Sequence, residues 1–173
     1  MTTAIKSRAF LALGGNLGEP KQAFQIACDK LLRHPRIAIS AASSLYRTPP
    51  VGGPPGQPDY LNAVVALTTD LTPQQLLEYC QTIENEAGRI RAVRWEARPL
   101  DLDLLLYDQL ILDTASLQLP HPRLHERHFV LLPLTELAPD TQHPLLQQTF
   151  AELLATLPQA EGITRLADKW ITL

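Results

Sequence analysis

The sequence predicts an α+β fold, a mainly antiparallel sheet with helices on both faces. Three observations carry this. The apolar period switches between two and about 3.6 along the first two thirds of the chain. The elements so marked follow the order strand, helix, strand, strand, helix, strand. Finally, 173 residues with 45% apolar and 19% charged side chains are enough to pack one domain spanning 1–173.

Residues 8–13 are short and apolar and run into Gly14-Gly15-Asn16, a strand ending in a tight turn. Pro20 suits a helix start, and Phe24, Ala27 and Leu31 recur with helical spacing as far as Arg33. Beyond His34-Pro35 the period changes. Ile37, Ile39 and Ala41 alternate with polar or small residues, predicting one strand that runs to Tyr46. A third strand, 62–67, is rich in Val and Ala. The next helix has Thr72 as cap, Pro73 in its first turn and Gln75 completing a capping box. Leu76, Cys80, Ile83 and Ala87 form its apolar stripe, and Gly88 ends it. A fourth strand covers 100–107. This order is the ferredoxin-like βαββαβ core. The last third predicts a short strand near Ile111, a helix over 127–132, another over 149–157 and a closing strand after Ile163.

Composition narrows the function classes. The net charge is −3, from 15 Lys+Arg against 18 Asp+Glu, which gives no basic excess to track a nucleic-acid backbone. Residues 1–8 lack the apolar core of a signal peptide, and no apolar run approaches the roughly 18 residues that span a bilayer. Cys28 and Cys80 lie on predicted helix stripes without C-x-x-C spacing and read as buried reduced thiols. The expectation is a cytoplasmic protein that takes small-molecule substrates, without nucleic acid or membrane partners, and acts as a monomer.

Chemistry concentrates near the fourth strand. Alternation there puts Asp101, Asp103 and Leu105 on one face and Leu102, Leu104 and Leu106 on the other. Two carboxylates about 7 Å apart at the backbone repel each other in a dry site. A hard cation such as magnesium removes that penalty. The preceding loop, 89–99, contributes Arg89, Arg91, Arg94 and Arg98, four of the chain's 15 cations. Guanidinium forks on phosphate oxygens and carboxylates on metal together suit a magnesium–phosphate complex. There is no G-x-x-x-x-G-K-[ST], so a P-loop is excluded. Residues 47–59 carry Pro49, Pro50, Pro54, Pro55, Pro58, Gly52, Gly53 and Gly56 without strand or helix period, which reads as a binding lid. His121, His125 and His128 fall in one segment, but H-E-R-H is not the H-E-x-x-H of a zinc site. His121 and Arg127 read instead as phosphate or nucleotide contacts. Tyr60, Trp95 and Phe129 can stack on a planar heterocycle, with Asn62 reading its polar edge.

Six stretches occur in fixed order: Leu13-Gly14-Gly15-Asn16-Leu17-Gly18, Ser44-Leu45-Tyr46-Arg47-Thr48-Pro49-Pro50, Gln57-Pro58-Asp59-Tyr60-Leu61-Asn62, residues 84–91, residues 94–103, and residues 120–129. Together they resemble the 6-hydroxymethyl-7,8-dihydropterin pyrophosphokinase family of folate biosynthesis, over residues 8–140. The resemblance implies a ferredoxin-like α+β fold and transfer of pyrophosphate from ATP to the pterin. It makes Asp101 and Asp103 the ligands of two magnesium ions bridging the triphosphate. Arg89 and Arg98 would steady charge on the transferring group, with Arg91 as a further phosphate contact. Gln81, Glu84, Leu104, His121 and Arg127 match ATP contacts. Thr48, Pro49, Val51, Tyr60, Asn62, Trp95 and Phe129 match the pterin pocket, with Tyr60 and Phe129 on either side of the ring. Departures are local. Gly15 replaces a common serine, Glu96-Ala97 stands where Gly-Pro is usual, and Ser116 and Gln118 occupy positions that can carry Arg and Thr. Two rivals are a magnesium-dependent nucleotide phosphohydrolase using the same acids and a single-strand nucleic-acid binder, the latter disfavoured by the acidic balance.

Overall fold

The computed structural model describes residues 5–50, 55–88, 99–166 and 169–173. Its spine is β1 (Ser7–Gly15), apolar on both sides and therefore able to sit between two layers. Ala9, Leu11 and Leu13 point to one core, while Phe10 and Ala12 point to the other. β1 pairs with β4 (Tyr60–Thr69) on one side and β5 (Asp101–Tyr107) on the other, both antiparallel. The sheet runs β5-β1-β4-β3-β8, with β2 (Ile37–Ala42) also on β4, next to β3 (Tyr46–Thr48) and ahead of β8 (Thr164–Arg165). A separate hairpin joins β6 (Leu112–Asp113) to β7 (Gln118–Leu119), where one short strand was expected.

Helices α1 (Pro20–Arg33) and α2 (Pro73–Glu86) cover one face through Phe24, Ala27, Leu31, Leu76, Cys80 and Ile83. Both cysteines are free and buried. Burial pushes each thiol up to about 12. On α2 the expected capping box is present, Thr72 Oγ1 accepting from the Gln75 N–H and Gln75 Oε1 from the Thr72 N–H. Gly88, at φ +88°, takes the left-handed conformation that ends the helix. Helices α3 (His128–Leu137) and α4 (Phe150–Thr156) cover the other face through Val130, Leu131, Leu134, Phe150 and Leu153.

Three expectations are corrected. The strand over 37–46 is two strands. Ser40 Oγ donates to the Ala66 carbonyl beside a register shift, and Ser43 Oγ accepts from the Val64 N–H. Hydroxyls thus stand in for backbone partners of β4, and the chain bends between β2 and β3. Leu106 lies in the second core with Leu105, not with Leu102 and Leu104, because a bulge opposite Phe10/Leu11 adds one residue to β5. Finally, α3 continues through Pro133 to Leu137. Burial of the helix against the sheet outweighs the hydrogen bond that the proline removes.

Candidate functional site

The site grows from the open end of the second face. Antiparallel register aligns Asp101 with Gly14 and Gly14 with Asn62. Asn62 in turn pairs with Tyr46, and Tyr60 with Thr48. Directly opposed residues share a face, so the acids of β5, the amide of β4 and the hydroxyl of β3 all lie on one surface. At about 4.8 Å per strand, the amide sits roughly 10 Å from the acids. Gly14 and Ala12 of β1 lie between them and supply a floor without bulk. A Cβ at Gly14 would come 3.3 Å from Asn62 Oδ1. The amide itself is held: Asn62 Nδ2 donates to Thr48 Oγ1 at 2.8 Å, and both residues are buried. Phe129, in the first turn of α3, packs against the core on this same face, with the Arg127 guanidinium 5.5 Å from its ring centre.

Asp103 is exposed and opens onto a cleft of about 740 Å³. Leu77 of α2, Leu102 and Leu104 of β5, the 113–118 segment and His121 line it. His121 is fixed by its own N–H to the Leu105 carbonyl, and its Nδ1 accepts from the Arg123 N–H. Burial, then Arg127 and Arg123, push its imidazole down to about 4. It is neutral at pH 7, and with Nδ1 accepting, the proton resides on Nε2. A neutral N–H donor therefore stands beside two guanidinium groups in an otherwise acidic chain. Arg127 is held somewhat below its usual range by burial, with nearby Asp103 opposing that shift.

Gln81 lies on α2 between Leu77 and Glu84, at the spacing that puts all three on one helix face. Glu84 is only 2% exposed. Its Oε1 accepts from the Leu102 N–H at 3.2 Å, which ties α2 to the strand between the two aspartates. Pro49 follows β3 and packs near Gly162. Arg89, Arg91, Arg98, Trp95 and Val51 lie outside the described residues.

Sequence reasoning passed over Asn16. It is 4% exposed, and its Nδ2 donates to the Pro58 carbonyl and Gln57 Oε1, joining the Gly-Gly turn to the proline-rich loop. A lone amide after two glycines carries no period, so only the fold reveals it.

Magnesium fits the acid pair. It is hard, takes oxygen ligands, and binds through one or two carboxylates plus phosphates and water rather than a full protein cage. Two carboxylates on one face of β5, with Asp103 at an open cleft, match that donor set.

The profile of the family described as 7,8-dihydro-6-hydroxymethylpterin-pyrophosphokinase matches residues 10–139. The chain belongs to this pyrophosphokinase family. A Pseudomonas aeruginosa 2-amino-4-hydroxy-6-hydroxymethyldihydropteridine pyrophosphokinase is 46% identical over 159 residues, covering 92% of this chain and 96% of that one. The Haemophilus influenzae protein of the same name is 43% identical over 136 residues, covering 79% of this chain and 84% of that one. Among solved structures, Plasmodium falciparum HPPK-DHPS with pteroate superposes with a TM-score of 0.68 over 90% of this chain, at 15% identity. This chain spans 43% of that longer one, and the likeness speaks for the fold. The family match covers the whole row from Asp101 to Asn62 and ends just beyond α3. Among the described residues no helix is long and apolar enough to cross a membrane.

Proposed function

We propose that this chain, as one domain over 1–173, transfers pyrophosphate from ATP to 6-hydroxymethyl-7,8-dihydropterin, giving AMP and the pterin pyrophosphate. The observation that carries the reading is the in-register row Asp101–Gly14–Asn62, in a member of this family. The flat pterin lies over the glycine floor, its polar edge on Asn62 and Thr48 and its faces toward Tyr60 and Phe129. Its hydroxymethyl group then reaches the acids on β5. ATP enters from the cleft beside Asp103, with Leu104 along it, Gln81 one turn beyond Leu77 on α2, and His121 Nε2–H and Arg127 directed to phosphate. Asp101 and Asp103 would hold two magnesium ions, which when bound would neutralise the triphosphate and lower the hydroxyl's pKa.

The hydroxymethyl oxygen forms a bond to the β-phosphorus, the bond from that phosphorus to the α-bridging oxygen breaks, and AMP leaves. The hydroxyl proton passes to Asp103 or to solvent. Catalysis of this kind is mainly alignment and charge stabilisation. Arg89 and Arg98 supply further positive charge in this reading, Arg91 contacts phosphate, and Trp95 and Val51 complete the pterin pocket. Every residue invoked belongs to one chain, so a monomer suffices. A cytoplasmic setting supplies ATP, magnesium and a reducing medium for the two thiols.

An AMP-release assay with ATP, magnesium and the hydroxymethyl-pterin, omitting each in turn, tests it. AMP is expected only in the complete mixture. ATP turnover without pterin would replace the reading with a nucleotide phosphohydrolase.

A further inference from the structure

Residues 162–166 and 169–171 border the β3 side of the sheet, which in the proposed reading carries the pterin half of the site. β8 pairs with β3, Arg165 opposite Tyr46 and Thr164 opposite Arg47, and the Leu166 N–H donates to the Leu45 carbonyl at 2.8 Å. The Arg165 guanidinium donates to Ser44 Oγ at 2.9 Å and lies 3.8 Å from Glu136 of α3. Glu136 is the hub. It accepts from the Ser44 N–H at 2.8 Å, from Ser44 Oγ at 3.1 Å and from the Tyr46 hydroxyl at 2.7 Å. Trp170 is 3% exposed, packs edge-on to Phe24 and donates from Nε1 to the Ser43 carbonyl at 2.7 Å. Gln25 of α1 holds the Trp170 carbonyl. At Gly162, with φ +74°, a Cβ would stand 3.3 Å from Pro49.

β3 is only three residues long, and among the described residues its far side is paired by β8 alone. Its last residue is Thr48, which holds the Asn62 amide. So short a strand is poorly fixed by one ladder, and bonds on both sides orient it. The acids and the ATP cleft belong to β5, at the opposite edge of the sheet. We infer that the C-terminal segment positions the pterin side of the site, with Arg165 and Trp170 acting through Glu136, Ser43 and Ser44 on Tyr46–Thr48. Neither residue touches substrate; both are positioning residues. This rests on the pyrophosphokinase reading and adds to it a specific division of labour between the two sheet edges.

The division is testable because a merely structural role would not separate the two substrates. Arg165 is 59% exposed at its side chain, so Arg165→Ala opens no core cavity. Trp170→Phe keeps a ring beside Phe24 but removes the Nε1 bond together with part of the buried indole's packing. Each variant is expected to raise the pterin KM, measured by AMP release, about 3- to 10-fold, while the ATP KM stays within about twofold. Arg165→Lys, which keeps the charge toward Glu136 but not the Nε bond to Ser44, should recover part of the pterin KM. Equal shifts in both KM values, no shift in either, or lowered thermal stability alone would overturn the inference. The unmodified protein is the control for the underlying reading. If it releases no AMP from the complete mixture, the pyrophosphokinase assignment fails, and the positioning role falls with it. If it does and the variants leave the KM values unsplit, only the positioning role fails.

Discussion

Gly14 lies between Asp101 and Asn62, and a side chain there would press on the Asn62 amide. An added methyl group at 3.3 Å from Asn62 Oδ1 forces the amide to give by a few tenths of an ångström. The amide is already bonded to Thr48, so giving way strains that bond. Gly14→Ala is therefore expected to raise the pterin KM several-fold with stability changed by less than about 1 kcal/mol, readable from steady-state kinetics beside a denaturant curve. Asp103→Ala should lower kcat by about 10²- to 10³-fold or more and leave circular dichroism unchanged, since the side chain is exposed and removes no core contact. Near-normal turnover would remove Asp103 from the mechanism. His121 makes a prediction about pH. Unfolded, its imidazole protonates near 6.5; folded, burial and the neighbouring arginines delay this to about 4. Between those values the unfolded chain binds more protons, so this contribution is full above 6.5 and is lost as pH falls through that window. His121→Gln should flatten the fall by up to about 3 kcal/mol, measured by urea unfolding at neutral and at acidic pH.

At the scale of elements, α2 shows how a well-specified helix serves the site. Its capping box stands at one end and Glu84, bonded to Leu102, at the other. Thr72→Ala should cost about 1 kcal/mol of stability in chemical denaturation while kcat remains unchanged, because the frayed turn lies far from the acids. A parallel loss of kcat would mean that the helix start also governs the β5 end. The same helix explains what the sequence made legible. Thr72, Pro73, Gln75 and Gly88 act locally, so their meaning could be read without a fold. Asp101 and Asp103 were legible for the same reason, since strand alternation alone puts them on one face. Other features depend on partners far along the chain. The break between β2 and β3 arises because Ser40 and Ser43 bond to β4, more than twenty residues away. The displacement of Leu106 comes from a bulge that exists only where β5 meets β1. Asn16 looked like a turn residue until the proline-rich loop was seen to close on it. The C-terminal strap was legible only as a short closing strand; its link to Glu136 has no local signature.

Across the whole molecule, two cores share one sheet. Phe24 anchors one face and Phe150 the other, both fully buried. Because β1 contributes side chains to both, the layers should melt together. Phe24→Ala and Phe150→Ala are each expected to cost about 3–5 kcal/mol and to shift one common transition, seen alike by far- and near-ultraviolet circular dichroism. Separate transitions would mean that the faces fold independently. The shared sheet also gives the chemistry its layout. In the proposed reading ATP takes the β5 edge and the pterin the β3 side, with the small residues of β1 between them, since the sheet runs β5-β1-β4-β3-β8. The most direct test of that layout is phosphorus NMR of the complete reaction, run with the unmodified chain and with Asp103→Ala. The account predicts AMP and a diphosphate ester of the pterin from the first and neither from the second. ADP with a pterin monophosphate, or unchanged products from the variant, would contradict it.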